Sequence, residues 1–246
     1  LGDVYKRQNL RSEFEAAARE ASSAFGDGTV YIERLLKRAR HVEIQVLCDT
    51  HGGAIHLNER DCSLQRRYQK VIEEAPAPHL SEEAYRRMGE EAVALAKAVG
   101  YTSAGTVEYL VDARERHYFL EMNTRLQVEH PITEAVSGED LVELMLLVAD
   151  GQRLPDRLLG AGADPCFVPI DGWAIEARVY AEDASKNFLP DVGVLTAYGD
   201  PPGAAHFDFG AGWTATGKAA SVRVDSGIED GAEISIYYAP MISKLV

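Results

Sequence analysis

Cysteine is scarce in this chain: Cys48, Cys62 and Cys166 are the only three in 246 residues, and no two stand at CxxC spacing. An odd, scattered set supplies neither a disulfide framework nor a zinc site, and reads as reduced thiols in a reducing compartment. Long apolar runs are lacking too. No stretch approaches the roughly 20 residues that span a bilayer, and the first residues do not form a hydrophobic leader. Basic charge is in short supply: 25 Lys and Arg stand against 39 Asp and Glu, for a formal net charge of −14. That balance excludes non-specific nucleic-acid binding, which needs a basic footprint. It does not exclude an anionic substrate held in a local cationic pocket. No internal repeat is present.

What is there is a globular composition, 46% hydrophobic and 26% charged, long enough for one or two domains. Asn9 to Phe25 reads as an amphipathic helix stopped by Gly26-Asp27-Gly28, with a short strand at Thr29 to Arg34 and a basic connection from Leu35 to Arg40. In His41 to Val46 the apolar Val42, Ile44 and Val46 alternate with His41, Glu43 and Gln45, the pattern of a half-buried strand. A second strand is expected at Ala54 to Leu57 after the Gly52-Gly53 turn. The polar stretch Asn58 to Lys70 and a break at Ala75 to Pro78 follow. Ser81 to Val99 is the clearest helix: Ser81 caps it, Glu82 and Glu83 suit its positive end, and Gly100 ends it. Ser103 to Val111 and His117 to Asn123 read as a hairpin. A helix from Glu139 to Asp150 comes next, then a loop from Gly160 to Asp171 and short strands at Trp173 to Ala181, Val192 to Tyr198 and Ile234 to Tyr238. Gly199 to Lys218 reads as an insertion with little periodicity. The expected class is α+β, on a mostly antiparallel sheet with flanking helices.

Two constellations carry chemistry. The run from Glu121 to Pro131 ends a strand and packs Glu121, Asn123, Arg125, Gln127, Glu129 and His130 into one loop, the usual place for reacting groups; taken singly, each is as readily a solvated loop residue. Glu108 lies on the other strand of the hairpin. Adjacent strands stand roughly 5 Å apart, so Glu108 and Glu121 reach one point if the register allows, and paired carboxylates are tolerated around a hard divalent cation. In the second run, Asn58 to Lys70, Arg60, Arg66, Arg67 and Lys70 form either a solvated basic face or a pocket for phosphate or bicarbonate. Cys62 has no His and Asp arrangement that would make it a nucleophile.

The runs "NERDCSLQRRYQKVIEEAPAP", "SAGTVEYL" and "FLEMNTRLQVEHPITEAVSGEDLVELML" resemble the signature stretches of biotin carboxylases, and the resemblance extends from about Ser12 to Val246. "DGWAIEARVYAED", "VRVDSGIEDGAEISIYY" and "PMISKLV" lean toward the α subunits of propionyl-coenzyme A carboxylases. The resemblance implies an ATP-grasp fold followed by the biotin carboxylase C-terminal domain. Residues 9–35 would end the lid subdomain, and 36–246 would form the ATP-grasp C subdomain and an incomplete carboxyl-terminal region. Leu1 to Gln8 match nothing expected and read as non-native.

Site roles follow from the same resemblance. Glu108, Glu121 and Asn123 would hold magnesium or manganese on the ATP phosphates. Glu129 would be the base that deprotonates bicarbonate, with Arg125, Gln127 and the Val128 backbone gripping it. Lys70 would contact the phosphates, and Arg178 would stabilise the enolate-like oxygen of biotin. Glu33, Arg34, Leu36, His41, Gln65 and Leu110 would contact nucleotide. His130 reads as fixing its loop.

The resemblance further implies a carrier domain that brings biotin, a carboxyltransferase subunit, an oligomer, and a cytoplasmic or mitochondrial-matrix location, with no nucleic acid and no membrane. The same half-reaction serves pyruvate, acetyl-coenzyme A, methylcrotonyl-coenzyme A and urea carboxylases, so those readings stay open, as does a non-catalytic docking remnant. The family's glycine-rich lid loop and biotin-attachment motif are not in these residues, from which an incomplete and inactive piece is expected. Ala239 replaces an aspartate common in the family, Tyr68 a histidine or asparagine, and Arg34 a lysine.

Overall fold

The computed structural model describes residues 9–159, 168–202, 204–208, 212–214, 222–235, 237 and 240–246, with backbone alone for 206–208 and 212–214. Leu1 to Gln8, Cys166 and Ala239 therefore lie outside the described residues, as do parts of the Gly160 to Asp171 loop, of Gly199 to Lys218 and of Ile234 to Tyr238. The chain divides into two compact units at Lys37/Arg38.

In the first unit, helix α1 (Leu10–Phe25) ends on Gly26, whose φ of 76° only glycine adopts without strain. The strand expected at Thr29 to Arg34 does not form. Tyr31 and Ile32 are exposed, and this unit's described residues offer no second strand to pair with.

The second unit is built on ten strands: β1 (Arg40–Cys48), β2 (Ala54–Arg66), β3 (Gln69–Ala75), β4 (Ser103–Val111), β5 (His117–Asn123), β6 (Ala174–Tyr180), β10 (Ala204–Asp208), β11 (Gly212–Thr214), β12 (Val222–Ser226) and β14 (Met241–Leu245), in the order β11-β10-β12-β14-β6-β3-β2-β1-β4-β5. Every pairing is antiparallel except β10 with β12. Short pairs β7 (Glu182–Asp183) with β8 (Leu189–Pro190), and β9 (Gly193–Val194) with β13 (Glu233–Ile234), lie beside it.

Helix α2 (Glu82–Ala98) covers one face of the sheet. Ser81 caps it by accepting from the Ala84 N–H, and Gly100 beyond its end has φ 64°. Met88, Ala92, Val93 and Ala96 pack on Val42, Ile44, Val46, Val107, Tyr109 and Val111. Each fully buried valine, isoleucine or methionine there contributes about 1.5–3 kcal/mol. On the opposite face, one end is apolar: Leu47, Ile55, Leu57 and Ala104 lie under Leu141, Leu144 and Val148 of α4 (Leu141–Ala149). The other end of that face is polar, and it carries the site.

The expected hairpin is β4 and β5, at the expected bounds. Three other readings are corrected. The polar stretch from Asn58 is mostly strand: β2 runs to Arg66, turns at Arg67 and Tyr68 (φ 51° and 65°), and returns as β3. A two-residue turn with positive φ at both positions usually carries Asn or Gly, and this one has neither. β1 is buried on both faces, so Glu43 and Gln45 are in the interior rather than on a solvent face. Gly199 to Lys218 contains strands β10 and β11. A helix not anticipated, α3 (His130–Ser137), starts with Pro131 in its first turn, where the missing N–H costs nothing, and ends on Gly138 at φ 73°.

Candidate functional site

Strand register sets four charged residues in a row across the polar end: Glu121 of β5 opposite Glu108 of β4, Glu108 opposite Glu43 of β1, and Glu43 opposite Arg60 of β2. Directly opposed residues share a face, so the row forms one surface. Arg60 has no exposed surface, and all five of its N–H donors are used. Nε donates to Glu43 Oε1 (2.6 Å), Nη1 to Gln45 Oε1 (2.7 Å) and Thr133 Oγ1 (2.9 Å), and Nη2 to Gln127 Oε1 (2.8 Å) and Thr106 Oγ1 (3.3 Å). This guanidinium ties β1, β2, β4, α3 and the loop after β5 together beneath the site.

Lys70 reaches the row through a β-bulge. Leu64 pairs with Ile72 but Gln65 pairs with Lys70, so one step on β2 meets two on β3. The extra residue reverses side-chain parity and turns Lys70 to the face of Glu73. Its Nζ then donates to Glu43 Oε2 (2.5 Å), Glu129 Oε1 (2.6 Å) and Glu108 Oε1 (2.8 Å), which uses all three ammonium protons. The other Glu129 oxygen accepts from Arg178 Nη2 at 2.9 Å. Glu129, 2% exposed, is thus an acceptor gripped at each oxygen by a separate donor-only cation.

Glu108 is the hub. Besides Lys70, its Oε1 accepts from Gln127 Nε2 (2.7 Å) and Asn123 Nδ2 (3.0 Å), and His41 Nε2 stands 2.9 Å from its Oε2. Burial pushes this carboxyl up, but His41 and Lys70 outweigh it and hold the pKa at about 2. Burial likewise acts upward on Glu43, and Arg60 and Lys70 keep it below the ordinary carboxylate range. For Lys70, burial favours the neutral amine, and Glu43 and Glu129 overcome it and hold the ammonium well above the usual range. Behind His41, Gln65 Nε2 lies 3.0 Å from Nδ1 and also donates to Cys62 O. Lys244 Nζ of β14 donates to Val128 O at 2.6 Å and so fixes the loop that carries Gln127 and Glu129. His130 Nδ1 lies 2.8 Å from Gln127 O, as its loop-fixing reading requires.

The structure brings together Lys70, Glu108, Asn123, Gln127, Glu129, Arg178, His41 and Gln65. Glu121 and Arg125 stand exposed at the rim, and Arg125 donates to Asn123 Oδ1 and Leu126 O at 3.3 Å. Leu110 is half-buried and pairs with His41 across the strands. Glu33, Arg34 and Leu36 belong to the first unit, on irregular backbone.

The cationic cluster expected at 60–70 is corrected, because only Lys70 of its four cations joins the site. Arg60 is the buried tie, Arg66 pairs with Glu182 and stacks over Phe188, and Arg67 sits in the turn. Cys62 is fully buried, and burial pushes its thiol well up, away from nucleophilic use. Glu43, Glu73, Glu176 and Lys244 went unread as site-side groups. Only for Glu43 was a signal present, in its alternation with His41 and Gln45.

Residues 2–157 match the family described as carbamoyl-phosphate synthase L chain, ATP binding domain, and residues 176–246 match the biotin carboxylase C-terminal domain. The propionyl-CoA carboxylase alpha chain of Ruegeria pomeroyi is 52% identical over 98% of this chain and 35% of its own length. The mitochondrial propionyl-CoA carboxylase alpha chain of Sus scrofa is 54% identical over 97% of this chain and 30% of its own. Among solved structures, the biotin carboxylase domain of Hydrogenobacter thermophilus 2-oxoglutarate carboxylase, in complex with MgADP, ADP and bicarbonate, superposes with a TM-score of 0.83 at 39% identity, over 97% of this chain and 48% of that one.

An antiparallel sheet bearing a carboxylate row at one end, with these matches, defines a protein of the ATP-grasp class. Within that class, the chain belongs to the biotin carboxylase family. It spans about a third of the length of the curated relatives it matches. Among the described residues, no helix is long and apolar enough to cross a membrane.

Proposed function

We propose that this chain supplies the site at which a longer protein uses ATP to carboxylate biotin with bicarbonate, as part of an acyl-coenzyme A carboxylase, with propionyl-coenzyme A as the acyl substrate. The observation that carries the reading is Glu129, buried and clamped between Lys70 and Arg178 beside the Glu108 carboxylate. A buried carboxylate oriented at both oxygens suits a general base.

Glu129 takes the proton of bicarbonate, held by Arg125, Gln127 and the Val128 backbone, and bicarbonate oxygen attacks the γ-phosphorus of ATP. The P–O bond to ADP breaks and carboxyphosphate forms. Its decomposition gives carbon dioxide and phosphate, phosphate removes the N1 proton of biotin, and Arg178 steadies the oxygen of the resulting enolate. N1 then attacks carbon dioxide. Lys70 offers a fixed positive charge to the phosphates, while His41, Gln65, Leu110, Glu33, Arg34 and Leu36 contact nucleotide.

Glu108, Glu121 and Asn123 fit a magnesium or manganese ion, because they are hard oxygen donors on paired strands, two of them directly opposed. Such an ion, when bound, neutralises charge on the transferring phosphoryl group. In this reading residues 9–35 end the lid subdomain and 36–246 hold the remainder. A biotin carrier domain, a carboxyltransferase subunit and an oligomeric assembly complete the enzyme, in the cytoplasm or, in a eukaryote, the mitochondrial matrix.

The test is Glu129→Gln in the full-length protein. Bicarbonate-dependent ATP cleavage is expected to fall about 10²–10⁴-fold, as for loss of a general base, with MgADP affinity unchanged. Undiminished cleavage would sink the assignment.

A further inference from the structure

Glu73 of β3 and Glu176 of β6 are register partners, and neither has any exposed surface. Opposed residues on adjacent strands share one small space. None of the four carboxylate oxygens accepts a hydrogen bond from a described residue. Two ionised carboxylates cannot occupy such a place without repulsion and a heavy desolvation cost, whereas one proton between them relieves the repulsion and supplies a donor.

The groups facing the pair tie it to the reaction. Arg178, two residues beyond Glu176, has Nη2 at 2.7 Å from Glu73 Oε1, without the angle of a hydrogen bond, and at 2.9 Å from Glu129 Oε2. One nitrogen therefore bridges the hidden pair and the proposed base. Lys244 of β14, the register partner of Arg178, is the main cation opposing the burial of Glu176, while its Nζ donates to the Val128 carbonyl and stands 3.5 Å from Asp225; Glu43 of β1 is held by Lys70 and Arg60. On α3, His130 contacts Gln127 O and Glu134 is held by Arg223.

We propose that Glu73 and Glu176 are positioning residues that share one proton: with it, Arg178 is left to Glu129 and substrate, and without it the dianion draws the guanidinium off the site. The proton leaves only above the ordinary carboxylate range, because burial pushes both carboxyls up and the neighbouring Glu73 pushes Glu176 further. The Arg178 half of the inference rests on the biotin carboxylation reading; the shared proton does not.

Two measurements on the full-length protein test it. Infrared titration with 13C-glutamate labelling is expected to show a protonated-carboxyl carbonyl band at pH 6 that fades by pH 9 and is lost in Glu176→Gln. The pH profile of bicarbonate-dependent ATP cleavage is expected to fall about tenfold per pH unit on its alkaline limb in the wild type, and to flatten in Glu176→Gln and in Glu73→Gln. The titration needs no variant, so a misfolded mutant does not protect the idea. Absence of the band in the wild type overturns the shared proton, and an alkaline limb unchanged in both variants overturns the positioning role. A wild type that shows the band but no bicarbonate-dependent cleavage supports the shared proton while overturning the reaction assigned to the site.

Discussion

Arg60 decides more about this site than any residue that would touch substrate. It is a fully buried cation whose cost is offset by five hydrogen bonds, and those bonds also set which way the Gln127 amide faces: Oε1 toward Arg60, Nε2 toward Glu108. Lysine at this position has three donors in a compact ammonium and cannot reproduce the planar fork. Arg60→Met leaves Gln45 and Gln127 without the guanidinium donors and Glu43 with Lys70 and, at 3.9 Å, His41, so we expect a loss of about 3–5 kcal/mol, as for a broken buried pair. Arg125→Met, at the exposed rim, should stay within about 0.5 kcal/mol while still impairing bicarbonate use. Urea midpoints of the two variants side by side check both, and equal midpoints would refute the scaffold role of Arg60.

At the scale of elements, close approach and irregularity place the chemistry. The bulge in β3 aims Lys70, and α2 seats on the sheet through Gly89, where an added Cβ would lie 2.5 Å from the His56 ring of β2. Two effects oppose each other in Gly89→Ala. Helix propensity favours alanine by about 1 kcal/mol. Overpacking against a ring held in a strand costs about 1–3 kcal/mol. The clash is with a buried side chain that has little room to give, so a net destabilisation of about 1–2 kcal/mol is expected from denaturant unfolding; a stabilised variant would show that β2 and α2 part easily.

Across the whole molecule, buried carboxyls shifted in opposite directions shape the dependence of stability on pH. The folded-state pKa of Glu108 is depressed to about 2, so its contribution is full above the ordinary carboxylate range and is lost as pH falls through about 2. Glu73 and Glu176 are raised, so the contribution of the proton they share is full below that range and is lost as pH rises through the pair's raised folded-state value. Glu176→Gln, which cannot titrate, should therefore gain on the wild type in urea midpoint as pH climbs from 5 to 9. A gap constant with pH would mean that Glu176 ionises normally.

Much of this was readable before folding. The β4–β5 hairpin, α2 with its Ser81 cap, and most of α4 follow from local periodicity and capping, which act within a few residues. Glu108, Glu121 and Glu129, the amides, Lys70 and Arg178 were legible as motif positions. What the tertiary structure decided was burial and parity. Alternation in β1 could not reveal that its polar side faces inward, because the cover comes from α3 and a loop more than 80 residues away. The four cations of 60–70 look alike in sequence, yet pairing separates them: Arg60 into the core, Arg66 to Glu182, Arg67 to a turn, and Lys70, by one extra residue in β3, onto Glu129. Glu73 and Glu176 are 103 positions apart and become neighbours only when β6 returns to pair with β3, since a strand register is a long-range choice that no local pattern encodes.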